Sequence, residues 1–277
     1  MGYIDFMGVL EMKTDNRLLL LDTLVLKDEE IFRDFYEKMP IERKKRIDAL
    51  KPEGSKRLCL GAGILLDKAL REFIAANGLD CNDQQVPPLD YKIATGPQGK
   101  PYIQGLPGFS FNLSHSGDIA AIAVSDREVG IDIQKFNHFN DSLVDHVFNI
   151  EDKELAKELM AELTDAGLGG DPAQHGDSSF DHVYTRMWAM KESVMKYTGK
   201  GLSLEPKKII LKRAQNGKHA TKAHTSSIVS YINSNEYSGR FLFIQEFTTL
   251  QKQDTFYGIS VCSEYEVFTQ IPEIIGL

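Results

Sequence analysis

Residues 119–134 contain the pattern that most limits how this chain can fold. An apolar run, IAAIAVS (119–125), is followed by a polar turn, and VGIDIQ (129–134) then alternates apolar residues with glycine or polar ones. Alternation with a period of two predicts strands, and the short turn predicts that the two strands pair as an antiparallel hairpin. Asp132 lies within the second strand, where a carboxylate must face solvent, a metal or another cation. From this strand alone, an exposed face and a binding site are both open.

Helical periodicity and turn signals organise the rest of the chain. Four segments carry apolar residues at helical spacing: 28–50, 55–76, 142–163 and 183–199. Further strands, in a second antiparallel sheet, are predicted at 207–213, 240–248 and 255–263. Two segments rich in Gly, Pro, Asp or Ser are predicted to be loops: 82–108 and 164–182. Together these elements predict an α+β fold.

The composition sets outer limits on the class of protein. The 277 residues, 42% of them hydrophobic, fit a globular protein with one large domain or two smaller ones. No apolar run approaches the roughly 20 residues of a membrane span, so no membrane association is predicted. Three cysteines without a CxxC pair favour a reducing, cytoplasmic location. The net charge of −8 disfavours nucleic acid as a partner.

The charges are unevenly placed along the chain. Residues 38–57 carry eight Lys or Arg against three acidic residues, whereas residues 141–182 carry eleven acidic residues against two Lys. A basic stretch inside an acidic chain would suit a phosphorylated ligand, although such clusters are commonly solvated helix faces.

The predicted helix 183–199 carries charged residues among apolar ones. Trp188, Glu192 and Lys196 are spaced four apart and therefore share one face of that helix. A Glu–Lys pair at this spacing is commonly a solvated surface pair, but its neighbours here are mostly apolar. The pair therefore indicates a site in which Glu192 holds a hard cation and Lys196 meets a phosphate.

Two further groups of residues could bind anions. In FNLSHSG (111–117), Ser114 and His115 lack the GxSxG pattern of a nucleophile elbow, and adjacent strand residues point to opposite faces. A structural loop or an anion site fits this motif better than a hydrolase centre does. The basic run RKKR (43–46) and Lys100, which stands between two turns, could contact a phosphate.

Four motifs, taken in order, resemble the 4′-phosphopantetheinyl transferases of the surfactin-synthetase-activating (Sfp) type. They are QGKPYI (98–103), FNLSHSG (111–117), GIDIQ (130–134) and WAMKESVMKYTGKGL (188–202). The resemblance implies two similar α+β lobes in one chain, a pseudo-dimer divided as 1–136 and 137–277, with the active site in the cleft between them. It also implies a monomer that uses Mg²⁺ and passes the phosphopantetheine arm of coenzyme A to a serine of an apo acyl or peptidyl carrier protein. Adenosine 3′,5′-bisphosphate is the expected second product.

The resemblance also assigns the metal and the base. Asp132 and Glu192 correspond to the metal carboxylates. Gln134 stands where many members carry a second strand carboxylate, so Gln134 or water would complete the Mg²⁺ shell. For the base that activates the carrier serine, alignment favours Asp152, Glu151 is adjacent, and a metal-bound water is the third candidate.

The nucleotide ligands also follow from the resemblance. Six side chains correspond to them: Lys45 and Arg57 at the 3′-phosphate, Lys100 at the adenine or its phosphate, Ser114 and His115 at the nucleotide's phosphates, and Lys196 at the pyrophosphate. Ammonium, guanidinium and hydroxyl groups are the donors that phosphate oxygens accept from.

Two other functions use the same residues. A Mg²⁺-dependent phosphohydrolase acting on a nucleotide-like substrate would use the carboxylates with water as the nucleophile. A non-catalytic module that binds coenzyme A or a carrier would retain the fold without the chemistry. The phosphates of coenzyme A are expected to bind at the basic stretch 38–57. Because carrier proteins are typically acidic, carrier binding is expected to weaken as salt is added.

Overall fold

The computed structural model describes residues 16–78, 91–165, 178–213, 227–233, 241–252, 255–264 and 273–277. Within these ranges the chain forms helices packed on antiparallel and mixed sheets, so the predicted α+β class is confirmed. None of the helices in the described ranges is long and apolar enough to cross a membrane.

The helices agree with the sequence pattern except where two of them are interrupted. Their bounds are α1 (Glu29–Glu37), α2 (Ile41–Asp48), α3 (Glu53–Ala76), α4 (Asp141–Val147), α5 (Ile150–Asp165) and α6 (Ser178–Thr198). The single helix predicted over 28–50 is wrong, because Pro40 precedes α2 and a proline has no amide hydrogen with which to continue a helix. The helix predicted over 142–163 likewise divides, and Asn149 and Asp152 exchange hydrogen bonds at the start of α5.

The first sheet combines three strands from the first half of the chain with one short strand from its carboxy-terminal end. Its order is β11 (Glu273–Ile274), β1 (Arg17–Asp22), β5 (Ile119–Ser125) and β4 (Ser110–Ser116), with only the β11–β1 pair parallel. The helix α3 packs on one face of this sheet. Two short strands, β2 (Ile93–Thr95) and β3 (Pro101–Ile103), pair with each other in the region predicted to be mainly loop.

The second sheet is antiparallel throughout and contains the strand that carries Asp132. Its order is β6 (Val129–Lys135), β10 (Thr255–Ser263), β9 (Phe241–Lys252), β8 (Ser227–Ile232) and β7 (Ile209–Arg213). The helices α5 and α6 cover one face of it. Of the loop predicted at 164–182, residues 166–177 lie outside the described residues, and residues 178–182 belong to α6.

The predicted hairpin of residues 119–134 is wrong. Both strands form, but β5 pairs with β1 and β4 in the first sheet, whereas β6 pairs with β10 in the second. Alternation shows that a segment is extended without showing which strand lies beside it. The turn at 126–128 therefore carries the chain from one sheet to the other.

A shared apolar layer lies between the two sheets. Side chains from both sheets form one buried cluster: Leu18, Leu20, Ile119, Ala121, Ala123, Val129, Ile131, Ile133, Phe247, Tyr257, Ile259 and Val261. The odd-numbered residues of β6 face this layer, so Gly130, Asp132 and Gln134 face α6. The division of the chain at residue 136 stays a prediction. In the sheets, β6 belongs with the carboxy-terminal strands and β11 with the amino-terminal ones.

Candidate functional site

The site begins where α6 crosses β6. A Cβ atom added to Gly130 would lie 2.1 Å from the carbonyl oxygen of Ser193 and 2.4 Å from the amide nitrogen of Tyr197. Glycine is therefore required, because the helix backbone rests directly on the strand at this point. This close approach brings Asp132, on the same face of β6, within reach of Lys196 on the helix.

Asp132 is the centre of a buried polar network, with a side chain that is only 2% exposed. Its Oδ1 accepts hydrogen bonds from Lys196 Nζ at 2.6 Å and from Ser114 Oγ at 2.7 Å. Its Oδ2 is also buried, and no hydrogen-bond donor in the described part of the chain reaches it. A carboxylate with an unpaired buried oxygen has an acceptor available for a cation.

Glu192 adds a second carboxylate beside Asp132. Burial, the charge of Asp132 and a hydrogen bond with the Asp132 carboxylate raise the pKa of Glu192 to about 7, while the Lys196 ammonium opposes this rise. Paired carboxylate oxygens are the ligands that Mg²⁺ prefers, so the donor set fits this ion. The described ranges contain no cluster of three or more His, Cys, Asp or Glu that could hold a metal. Water, an amide or substrate oxygens would therefore have to complete the shell.

Gln134 lies two residues after Asp132 on the same face of β6. Its side-chain nitrogen donates a hydrogen bond to the carbonyl oxygen of Lys135 at 3.2 Å. Because that bond uses the nitrogen, the amide oxygen is the atom that could serve a cation. Ligation by Gln134 stays a prediction.

Ser114 has a structural function that the sequence did not reveal. The strands β4 and β6 belong to different sheets, yet side chains of β4 accept hydrogen bonds from amides of β6. The bonds alternate along β4: Ile131 N to Asn112 Oδ1 at 3.0 Å, Ile133 N to Ser114 Oγ at 3.2 Å, and Lys135 N to Ser116 Oγ at 2.9 Å. This row of side chains joins the two sheets and fixes β6 beside Ser114. The predicted contact of Ser114 with phosphate stays a prediction.

Replacing Asn112 with alanine should therefore destabilise the junction between the sheets. The buried amide of Ile131 would lose its acceptor, which costs about 1–3 kcal/mol. Urea unfolding of Asn112→Ala measures this loss, and Ser116→Ala, at the exposed end of the row, is the control with the smaller expected effect. Equal stability of Asn112→Ala and the unaltered protein would contradict this function of the row.

His115 is exposed at the end of β4, next to Ser114 in sequence. Partial burial, and then the Lys196 ammonium, lower the pKa of His115. The ring is thus neutral at pH 7 in the absence of an anion, and a bound phosphate would favour its protonated form. Its neighbour Ser114 donates to Asp132, so His115 lies at the edge of the carboxylate cluster.

Lys100 is held by protein groups. Its ammonium donates to Glu128, to the carbonyl oxygen of Val129 at 2.8 Å and to that of Tyr197 at 3.1 Å. These bonds join the turn at 96–100 to the start of β6 and the end of α6. All three protons are used in this arrangement, so contact of the Lys100 ammonium with the nucleotide stays a prediction.

Lys45 and Arg57 lie on α2 and α3, which pack against each other. Lys45 is exposed. Arg57 is half-buried, and its Nε is a buried donor with no hydrogen-bond partner among the described residues. A buried unpaired donor on a cationic group is consistent with an anion site, because native proteins pair nearly all such groups.

Asp152 forms a buried ion pair inside the second core, which is the apolar cluster that α5 and α6 form with the second sheet. Its carboxylate lies 2.6 Å from Lys191 Nζ, and both side chains are 0% exposed. The same carboxylate accepts from the amides of Asn149 at 2.9 Å and Leu211 at 3.0 Å. Lys191 also donates to two carbonyl oxygens in the segment 206–209. The pair is therefore fully hydrogen-bonded within the protein.

Glu151, the alternative base, lies at the start of α5 and is exposed. The structure thus separates two neighbours that the sequence could not: Glu151 reaches solvent and Asp152 does not. Sequence reasoning gave Lys191 no function, although a lysine among apolar residues, directly before Glu192, was a signal that this helix buries a charge.

A family model matches the part of the chain that contains Asp132, Glu192 and Lys196. Residues 128–246 match the model of a family described as the 4′-phosphopantetheinyl transferase superfamily. Two of the four motifs, GIDIQ (130–134) and WAMKESVMKYTGKGL (188–202), lie within that match. The family resemblance of the motifs is thereby confirmed.

Individual relatives cover less of the chain. A 4′-phosphopantetheinyl transferase of Bacillus subtilis is 39% identical over 106 residues, which are 38% of this chain and 40% of that protein. The transferase Sfp of Bacillus subtilis strain 168 is 31% identical over 152 residues, which are 55% of this chain and 61% of that protein. An L-aminoadipate-semialdehyde dehydrogenase-phosphopantetheinyl transferase of Xenopus laevis is 30% identical over 118 residues, 40% of this chain and 36% of that protein. The chain covers less than two thirds of each of these relatives.

Proposed function

We propose that this chain, whose residues 128–246 belong to the 4′-phosphopantetheinyl transferase superfamily, transfers 4′-phosphopantetheine from coenzyme A to a serine of an apo acyl or peptidyl carrier protein. The observation that carries the proposal is the cluster of Asp132, Glu192 and Lys196. All three residues lie within the matched segment, and their carboxylates and ammonium suit a cation and a phosphate.

The carboxylates would hold the metal ion. Asp132 and Glu192 supply negatively charged oxygens, with Gln134 or water completing the shell. Bound Mg²⁺ would supply a charge that stabilises the pyrophosphate oxygens as the bond breaks. The unpaired Oδ2 of Asp132 is the acceptor that supports this assignment.

Lys196 would move between two anions during binding. In the structure its ammonium is paired with Asp132 Oδ1. With the charge of Asp132 balanced by a metal ion, Lys196 would turn its ammonium to the pyrophosphate of coenzyme A and donate hydrogen bonds to it. His115 beside it, with Arg57 and Lys45 on α2 and α3, would contact the remaining phosphates.

The transfer itself needs a nucleophile and a base. The carrier serine oxygen attacks the β-phosphorus in line, the bond from this phosphorus to the bridging oxygen breaks, and adenosine 3′,5′-bisphosphate leaves. Of the two acidic residues at the start of α5, we assign the role of proton acceptor to Glu151, because Asp152 is already paired with Lys191.

The substitution Glu151→Gln should then lower turnover by about 10²-fold or more. A rate within twofold of that of the unaltered protein would instead favour water as the proton acceptor.

The proposal also covers the division into two lobes, the oligomeric state and the cellular location. The first sheet with α3 and the second sheet with α5 and α6 would be the two lobes, with coenzyme A in the cleft between them. A single chain would then form a complete site, which supports a monomer. The absence of a CxxC pair among the cysteines supports a reducing, cytoplasmic location.

The nucleotide product distinguishes this function from its alternatives. The protein is incubated with coenzyme A, Mg²⁺ and an apo acyl or peptidyl carrier, and the nucleotides are separated by chromatography. Carrier-dependent formation of adenosine 3′,5′-bisphosphate is the expected result. Nucleotide cleavage that proceeds equally without a carrier would indicate a phosphohydrolase, and intact coenzyme A would indicate a binding module.

Coenzyme A binding should tighten as the pH falls from 8 to 6. The pKa of His115 is lowered in the free protein, and a bound phosphate would raise it, so the complex holds more protons. Calorimetric titration at several pH values measures this trend. Part of the pH dependence of the affinity comes from titration of the coenzyme A phosphate itself. His115→Ala should remove the remaining part. Identical pH profiles for both proteins would contradict a phosphate contact at His115.

A further inference from the structure

Ser260 carries a buried hydroxyl on the strand beside Asp132. Its side chain is 1% exposed, and its Oγ has no hydrogen-bond partner among the described residues. Such groups are uncommon because burying an unpaired hydroxyl is costly. Asp132 Oδ2 is an unpaired buried acceptor in the same sheet.

The strand register places these two atoms together. Ser260 lies directly opposite Asp132 across the antiparallel pair of β10 and β6. Residues opposite each other in such a pair point to the same face, with Cβ atoms about 4.5–5.5 Å apart. That face is the one covered by α6, because Gly130 on it contacts the helix backbone.

On the other side of Ser260, the neighbouring carboxylate already accepts hydrogen bonds from an arginine. Glu246 on β9 lies opposite Ser260, so Asp132, Ser260 and Glu246 form one polar row across three strands. Both carboxylate oxygens of Glu246 accept hydrogen bonds from Arg186 of α6. Of the two carboxylates beside Ser260, Asp132 is therefore the one with an oxygen that accepts no hydrogen bond from an amide, hydroxyl or ammonium group of the described residues.

We propose that Ser260 is a positioning residue of the cation site: its hydroxyl holds Asp132 Oδ2 through one buried water. A water between two unpaired polar groups is the usual way in which proteins satisfy them. The bond matters most when Lys196 leaves Asp132 for a phosphate, because the ammonium then no longer fixes the orientation in which the carboxylate meets the cation. Ser260 keeps it in one orientation. This assignment rests on the proposed cation site.

The same sheet offers a matched control. Ser230 on β8 is 0% exposed, and its Oγ likewise has no partner among the described residues. It lies opposite Leu242 rather than beside a carboxylate. Ser230→Ala and Ser260→Ala therefore each remove a buried hydroxyl from the same sheet. Only Ser260→Ala removes a hydroxyl that lies beside Asp132.

The test is the affinity of the full chain for Mn²⁺, measured by the loss of the free-ion electron paramagnetic resonance signal. Ser260→Ala should weaken Mn²⁺ binding about tenfold, as the loss of groups that orient metal ligands does, and Ser230→Ala should leave it unchanged. Thermal unfolding without metal should be similar for the two variants, which separates a loss of affinity from a loss of folding.

Other results would overturn the assignment in distinguishable ways. Unchanged affinity in Ser260→Ala, or an equal loss in both variants, would show that Ser260 does not act through Asp132. Failure of the unaltered protein to bind Mn²⁺, with and without coenzyme A, would remove the proposed cation site together with the function of Ser260.

Discussion

Glu192→Gln should lower the rate of carrier loading by about 10²–10⁴-fold while leaving the fold intact. The substitution keeps the size of the side chain and removes the carboxylate beside Asp132. Charge stabilisation by a metal contributes several kcal/mol to such a transition state, and each 1.4 kcal/mol changes the rate about tenfold. The rate is measured as adenosine 3′,5′-bisphosphate formed per minute at saturating coenzyme A.

The control for this prediction is a glutamate outside the site. Glu154 is exposed on α5, and Glu154→Gln removes the same charge from the chain. It should leave the rate within about twofold, because exposed charges interact weakly through solvent. Near-normal loading by Glu192→Gln at low Mg²⁺ would exclude Glu192 from the metal site.

Lys191→Met should destabilise the protein by about 3–5 kcal/mol. The substitution leaves the Asp152 carboxylate charged and fully buried without its partner, which is the costly way to break an ion pair. Urea unfolding followed by circular dichroism measures the loss. A decrease below about 1 kcal/mol would show that this pair is not a significant support of the second core.

A double variant separates stability from catalysis. Lys191→Met combined with Asp152→Asn removes both charges, so it should recover a substantial part of the stability lost in Lys191→Met. At a temperature well below its unfolding midpoint, the double variant should load the carrier within about tenfold of the unaltered protein. A loss of 10²–10⁴-fold in the folded double variant would instead identify Asp152 as the base.

The sequence predicts which charged side chains lie together better than it predicts the topology. The family resemblance groups Asp132 with Glu192 and Lys196, helical spacing places the latter two on one face, and the structure pairs Lys196 with Asp132. The predicted pairing of 119–125 with 129–134 is wrong because strand pairing is not a local property. A strand's neighbours depend on packing that periodicity does not contain, and here the short turn crosses between two sheets.

Local sequence patterns also do not predict the burial and the hydrogen-bond partners of individual side chains. Asp152 and Glu151 are adjacent in sequence, yet one is buried against Lys191 on another helix and the other is exposed. The hydroxyl of Ser114 bonds a β6 amide and Asp132, partners that its sequence motif does not indicate. Such assignments need the tertiary structure, because the deciding partners lie far away along the chain.

The intact mass of the carrier tests the central claim most directly. A purified apo carrier protein is incubated with this chain, coenzyme A and Mg²⁺, and its mass is compared with that from a parallel reaction using Asp132→Asn. We expect the carrier to gain the mass of one phosphopantetheine group, with the Asp132→Asn reaction slower by orders of magnitude. A gain that also appears on a carrier whose serine is replaced by alanine, or an equal rate with Asp132→Asn, would contradict the account.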